Sequence, residues 1–191
     1  PLLTMIVLSV VFGSMLGRNS SDLAFAGVPF PIYVLTGRLL YSFFSSATNS
    51  AMRSIRSNGA MIKKVYVPKY IYPFSGILAN FIIFLISLIV LVGVMVFFVA
   101  NGSYHAPMNG YMVLSVVPLV NLFILAMGVG MILATLCVFF RDIEYLWSVM
   151  LMMIMYCSAI FYFVDNMSKS TQLIVKANPL FGIINLSLIH I

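Results

Sequence analysis

The chain has 191 residues, 63% of them hydrophobic and only 7% charged, with a mean hydropathy of +1.13 and a formal net charge of +6. A soluble domain is typically ~45–50% apolar and ~25% charged; ten Lys and Arg with four Asp and Glu cannot coat the surface of one. That excludes a soluble globular domain, a disordered chain and a nucleic-acid binder, and it leaves an all-α polytopic membrane protein with roughly five or six crossings of ~20 apolar residues each.

In chain order, the first expected span covers about residues 1–17. It lacks a basic leading region and a small-residue cleavage site, so it does not read as a signal peptide. A second, less apolar span follows at about 31–52. The basic loop 53–72 carries Arg53, Arg56, Lys63, Lys64 and Lys69. Between Tyr70 and Phe140 there is no Asp, Glu, Lys or Arg. Those 71 residues would reach ~107 Å as one helix, far more than a bilayer core, so they must fold back. The Gly-, Pro- and Asn-rich run from Asn101 to Gly110 marks the turn, giving spans at about 74–99 and 112–140. The second of these is long enough to tilt or to lie partly in the interface. A fifth span is expected at about 146–164, and residues 165–185 form a segment on the far side. Leu180 to Ile189 reads as a re-entrant turn or the opening of a sixth span. Both ends fall inside apolar runs, so five of six spans are expected here, with the domain truncated at both ends. No strand-like alternation persists, which disfavours a barrel.

Positive charge orients the chain. Six Lys and Arg lie in the loops after the second and fourth spans, against three (Arg18, Lys169 and Lys176) on the other side. The positive-inside rule places the first group, and the N-terminus, in the cytoplasm. Tyr66, Tyr70 and Tyr72 suit an interfacial anchor.

Three polar features stand out. Ile55, Ile62 and Val65 fall at helical spacing, with Arg56, Lys63 and Lys64 away from them. This predicts a short amphipathic helix at the membrane surface, broken by Pro68 and Pro73; it serves either to fix topology or to dock a cytoplasmic partner. In the run from Phe140 to Trp147, Arg141 suits a helix C-terminus. Asp142 is expected to cap the next helix, with Glu144 in its first turn. Arg38 lies inside the second span, where an Arg is costly and either snorkels or lines a cavity. Tyr41, Phe43, Phe44 and several hydroxyls share that span, a mixture suited to a sugar conduit and equally to helix packing.

Other chemistry finds no support. Cys137 and Cys157 form no CxxC pair and read as structural, and His105 and His190 are isolated. The fourteen Met read as lipid-facing or packing groups. No GxxxxGK[ST] loop occurs, so the chain has no P-loop for ATP. No acid pair or nucleophile–base arrangement is visible, so no enzyme activity is expected.

The order of these pieces resembles the permease subunit of type-2 ATP-binding-cassette exporters, in the branch that exports polysaccharides such as O-antigen, capsule and teichoic acid. The resemblance is carried by Leu35-Thr36-Gly37 and Phe43-Phe44-Ser45-Ser46, by Ile62-Lys63-Lys64-Val65-Tyr66-Val67-Pro68, by Phe140-Arg141-Asp142-Ile143 and by Asn178-Pro179-Leu180. It covers almost the whole chain, and its specificity lies in the order and spacing rather than in any one motif. The family often has Ser-Pro where this chain has Ser158-Ala159, usually a bulky apolar residue at Arg38, and an Arg soon after Asn-Pro-Leu. The resemblance implies a homodimer in the bacterial cytoplasmic (inner) membrane, in contact with lipids and moving a glycan. ATP and Mg would be held by a separate nucleotide-binding subunit, with no cofactor in this chain. It implies partner coupling through Arg56, Ile62, Lys63, Lys64, Arg141 and Asp142. It implies a conduit near Arg38, Tyr41, Phe43 and Phe44, and an outer gate including Tyr162, Asn178 and Pro179. A drug or lipid cargo is the alternative within the family. An ion-coupled transporter or channel is the alternative outside it, disfavoured because Asp22, Asp142, Glu144 and Asp165 all fall near span ends.

Overall fold

Residues 30–57 form one continuous helix, α1 (Phe30–Ser57), in the computed structural model, which describes residues 30–100, 116–158 and 179–190. The first expected span, the turn at 101–110 and most of the segment from 165 to 185 lie outside the described residues. A four-residue turn of helix, α2 (Gly59–Ile62), follows α1. Then come α3 (Ile71–Ala100), α4 (Val116–Phe139), α5 (Ile143–Cys157) and α6 (Pro179–His190). Among the described residues the fold is all-α, with no strand.

The first two long helices run past their expected ends. At ~1.5 Å per residue, α1 and α3 reach ~42 and ~45 Å, the depth of a whole bilayer with its headgroups. α1 ends at the Asn58-Gly59 pair. There the Asn58 side-chain amide donates to the Ser54 carbonyl at 2.8 Å, and the Asn58 backbone N–H donates to the same oxygen at 3.2 Å. The single amphipathic helix predicted across Ile55–Val65 is therefore split. Ile55 belongs to α1, Ile62 closes α2, and Val65 lies beyond both. Asn-Gly is a turn former, and it outweighs the apolar spacing around it. Pro73 also departs from expectation. It occupies the first turn of α3, where its missing N–H costs nothing, and it is buried.

α1 is the central helix. Its buried face comprises Leu39, Leu40, Phe43, Phe44, Ala47 and Ala51. α3 brings Ile77 and Phe84 to this core, α4 brings Leu122 and Ala126, and α5 brings Leu151. Leu180 and Ile184 of α6 complete it. Small residues set the spacing. A Cβ on Gly130 would stand 3.0 Å from both Ala51 Cβ and Ile77 Cδ1, and one on Gly76 would stand 2.8 Å from Ser50 Oγ. In α4, Ala126, Gly130 and Ala134 recur every fourth residue and are all buried. Such a small-residue stripe lets backbones approach closely, the main source of helix adhesion where lipid removes the hydrophobic drive. Aromatic rings fill the wider gaps. Phe43 lies 4.9 Å from Phe84, and Phe81 lies 4.7 Å from Phe123, centroid to centroid.

The opposite faces are apolar and open. Ile82, Ile83, Ile86 and Ile89 of α3, Val120, Ile124 and Ile132 of α4, and Val149, Met152 and Met153 of α5 are all exposed. Soluble monomers rarely leave such continuous apolar surface bare; hydrocarbon is its natural solvent. Two helical stretches, Ile71–Gly93 and Val116–Phe139, are by themselves long and apolar enough to cross a bilayer.

Candidate functional site: a basic helix end and a polar groove

Two regions hold the expected functional residues. The first is the basic end of the bundle. The end of α1 carries Arg53 and, in its last turn, Arg56, and the first turn of α5 carries Glu144. Glu144 accepts from both guanidinium groups: Arg53 reaches one carboxylate oxygen and Arg56 the other, at 2.8 Å. The carboxylate is mostly covered, at 20% exposure, while the two Arg side chains remain about half exposed at 59% and 46%. Solvent screens these pairs, so their worth is at most about 1 kcal/mol each. Their geometric effect is larger, since they place the start of α5 beside the end of α1.

The predicted coupling residues gather at this end. Arg56 is in α1, Ile62 in α2, and Lys63 and Lys64 in the turn after it. The loop from Lys63 to Tyr66 is exposed, with Tyr66 fully so. Arg141 and Asp142 form the exposed turn between α4 and α5, two residues from Glu144. Asp142 occupies the N-cap position of α5, yet its side chain makes no capping hydrogen bond. Its backbone carbonyl instead accepts from the N–H groups of Tyr145 and Leu146, at 3.1 and 3.2 Å. The expected cap is thus absent because Asp142 is already in the helical φ/ψ region, at −76° and −12°, which turns its carboxylate away from the open amides.

From this end α5 runs antiparallel to α1, held by a row of polar contacts. Glu144, Trp147 and Leu151 lie at i, i+3 and i+7, on one helix face. Glu144 meets Arg53 and Arg56. Trp147 Nε1–H donates to Thr48 Oγ1 at 3.2 Å. The Tyr41 hydroxyl donates to the Leu151 carbonyl at 2.9 Å. Thr48 in turn donates to the Phe44 carbonyl at 2.8 Å, so the hydroxyl both accepts and donates. Among the described residues no buried side-chain nitrogen or oxygen lacks a partner. Sequence reasoning missed Arg53, Glu144, Thr48 and Trp147 as a set. The fifth span was legible, with Glu144 in its first turn, but its partner helix was not.

The second region is a groove of about 250 Å³ between α1 and α3, lined by Arg38, Ser42, Phe43, Ser46, Asn80 and Ser87 among others. Of the four predicted conduit residues, Arg38 and Phe43 line it. Phe44 is buried at 3% exposure against Trp147, 6.3 Å between centroids. Tyr41 is directed to α5. Phe43 both lines the groove and packs on Phe84, Phe44 packs on Trp147, and Ser42 and Ser46 line the groove. Of the expected gate, Tyr162 and Asn178 lie outside the described residues, and Pro179 opens α6.

Among the described residues, an all-α bundle with apolar outer faces and two helices fit to cross a bilayer is the fold of an integral membrane protein. The chain belongs to the ABC-2 type transporter family, whose model matches residues 1–190. It is similar to the O-antigen export system permease protein RfbA of Klebsiella pneumoniae, at 28% identity over 157 residues, covering 81% of this chain and 58% of that protein. A second protein of the same name and organism is 25% identical over 155 residues, with the same shares covered. The chain thus spans 58% of the length of the curated relatives it matches.

Proposed function

We propose that the chain is part of the membrane-spanning permease subunit of an ATP-driven exporter of polysaccharide in a bacterial cytoplasmic membrane. The family match and the likeness to permeases named for O-antigen export support this reading. The observation that carries its mechanical side is the double ion pair of Glu144 with Arg53 and Arg56. It brings the basic loop after α1 and the Arg141–Asp142 turn to one end of the bundle. A separate nucleotide-binding subunit would dock there through Ile62, Lys63, Lys64, Arg141 and Asp142, and would hold ATP and Mg. Hydrolysis on that subunit would shift the exposed loop, and the shift would reach α5 and α1 through Glu144. The docked subunit shifts the equilibrium between two states of the permease only as far as its contacts differ between them. A homodimer would supply the other wall of the conduit, with the glycan as cargo.

The test uses the full-length protein co-expressed with any P-loop ATPase encoded beside its gene. Co-purification in mild detergent is the expected result, and Lys63→Glu with Lys64→Glu is expected to reduce it by about tenfold or more, two charge-assisted contacts being worth at least that factor. Absence of any co-purifying ATPase would refute the coupling assignment. Loss of surface glycan on gene deletion, restored by the wild-type gene, supports polysaccharide as cargo. Unchanged glycan with altered drug sensitivity would move the cargo to the drug class.

A further inference from the structure

Arg38 has no place in the coupling surface or the α1–α5 contacts. It is exposed on α1, about 12 Å along the helix from Phe30. In a helix that matches the full bilayer with its headgroups, this lies a few ångströms inside the hydrocarbon boundary, within snorkelling reach of it. Ser42 and Ser46 follow at one-turn intervals on the same face, and Asn80 and Ser87 of α3 face them across the groove. Leu35, Leu39, Ile83 and Phe84 form its apolar flanks. The groove is open to the side, since Arg38, Ser42, Ser46 and Ile83 are all exposed. Among the described residues Arg38 makes no ion pair; the ion pairs there involve Arg53 and Arg56 at the other end of α1. No carboxylate lines the groove.

The geometry points to a binding site for an anionic phospholipid in the α1–α3 groove, with Arg38 on the phosphate, Ser42 one turn deeper on the glycerol ester oxygens, and the aliphatic flanks along the acyl chains. A guanidinium at the hydrocarbon boundary is strongly attracted to a phosphodiester and binds it through two parallel N–H groups. The choice of an anionic lipid follows from the lining. A zwitterionic headgroup brings its own ammonium, and the groove offers it no carboxylate while presenting Arg38 as a like charge. Phosphatidylglycerol carries the phosphodiester charge with no ammonium for Arg38 to repel.

The experiment is native mass spectrometry of the full-length detergent-solubilised protein, titrated with phosphatidylglycerol or phosphatidylcholine of the same chain length. Wild type is expected to retain phosphatidylglycerol in preference to phosphatidylcholine. Arg38→Leu is expected to weaken the phosphatidylglycerol affinity by about tenfold, the loss of one charge-assisted contact, and Arg38→Lys is expected to recover part of it. Leu at this depth suits the membrane better than Arg, so a folding defect is not expected, and the thermal midpoint of each variant in lipid-free detergent checks this. A second variant, Ser42→Ala, tests the groove without touching the charge and is expected to reduce retention. Equal retention of both lipids by wild type would overturn the proposal, as would unchanged phosphatidylglycerol affinity in a folded Arg38→Leu protein. Arg38-dependent binding of an acidic oligosaccharide that phosphatidylglycerol does not compete away would also overturn it, in favour of a cargo contact.

Discussion

Glu144 is one of four acidic residues in the chain, and it binds two cations on another helix. Its removal should separate mechanics from stability. Glu144→Gln is expected to shift the thermal midpoint by no more than about 2–4 °C, because exposed pairs contribute little. Transport per ATP hydrolysed is expected to fall well below wild type in reconstituted vesicles, since the link between α1 and α5 at this end is lost. Full coupling in that variant would remove Glu144 from the mechanism. Thr48 poses the converse case. It is completely buried and receives the Trp147 N–H. Thr48→Val keeps the volume but orphans that donor, at a cost of about 1–3 kcal/mol. Thr48→Ser keeps the acceptor and is expected to lose less. Denaturation in detergent would rank the two.

At the scale of elements, α1 and α4 meet where Gly130 faces Ala51. Gly130→Ala places its methyl 3.0 Å from Ala51 Cβ, which cannot move away, and from Ile77 Cδ1, which can. Gly130→Leu leaves no such relief and is expected to destabilise the bundle by about 1–3 kcal/mol or more, seen as lower yield of folded protein and a lower thermal midpoint. The helices themselves were legible in the sequence because the uncharged stretch from Tyr70 to Phe140 exceeds any single crossing and contains one obvious turn. The residue ends were less so. Asn58-Gly59 divided a helix that apolar spacing alone had joined. Asp142 adopted helical backbone angles that took its side chain out of capping range. The sites were legible only in part. Arg38 and the Lys63–Lys64 pair announce themselves as charges in an apolar chain. The α1–α5 contacts do not, because Thr48 and Trp147 are 99 residues apart and nothing local to either indicates the other.

At the scale of the molecule, the apolar outer faces and the basic loop together define a direction in the membrane. Positive charge on the loop after α1 predicts that this end faces the cytoplasm. A single Cys at Lys64, in a background with Cys137 and Cys157 replaced, is expected to react with a membrane-impermeant thiol reagent only after the cells are opened. Reaction in intact cells would invert the orientation. Lys64 is exposed and outside any helix, so its substitution leaves the bundle undisturbed.

The position of α1 has a consequence for how the protein is made. Two of the described helical stretches, both in α3 and α4, are apolar enough to enter a bilayer unaided. α1 is not, for it carries Arg38 and a series of hydroxyl and amide side chains. Yet it is the helix against which α3, α4, α5 and α6 all pack. Several of its polar groups, Tyr41, Thr48, Arg53 and Arg56, find their partners on α5. The first of these helices to leave the ribosome is therefore the one least able to settle alone. Its packing partners α3, α4, α5 and α6 all follow it in the chain, so the centre of the bundle is completed only by helices synthesised later.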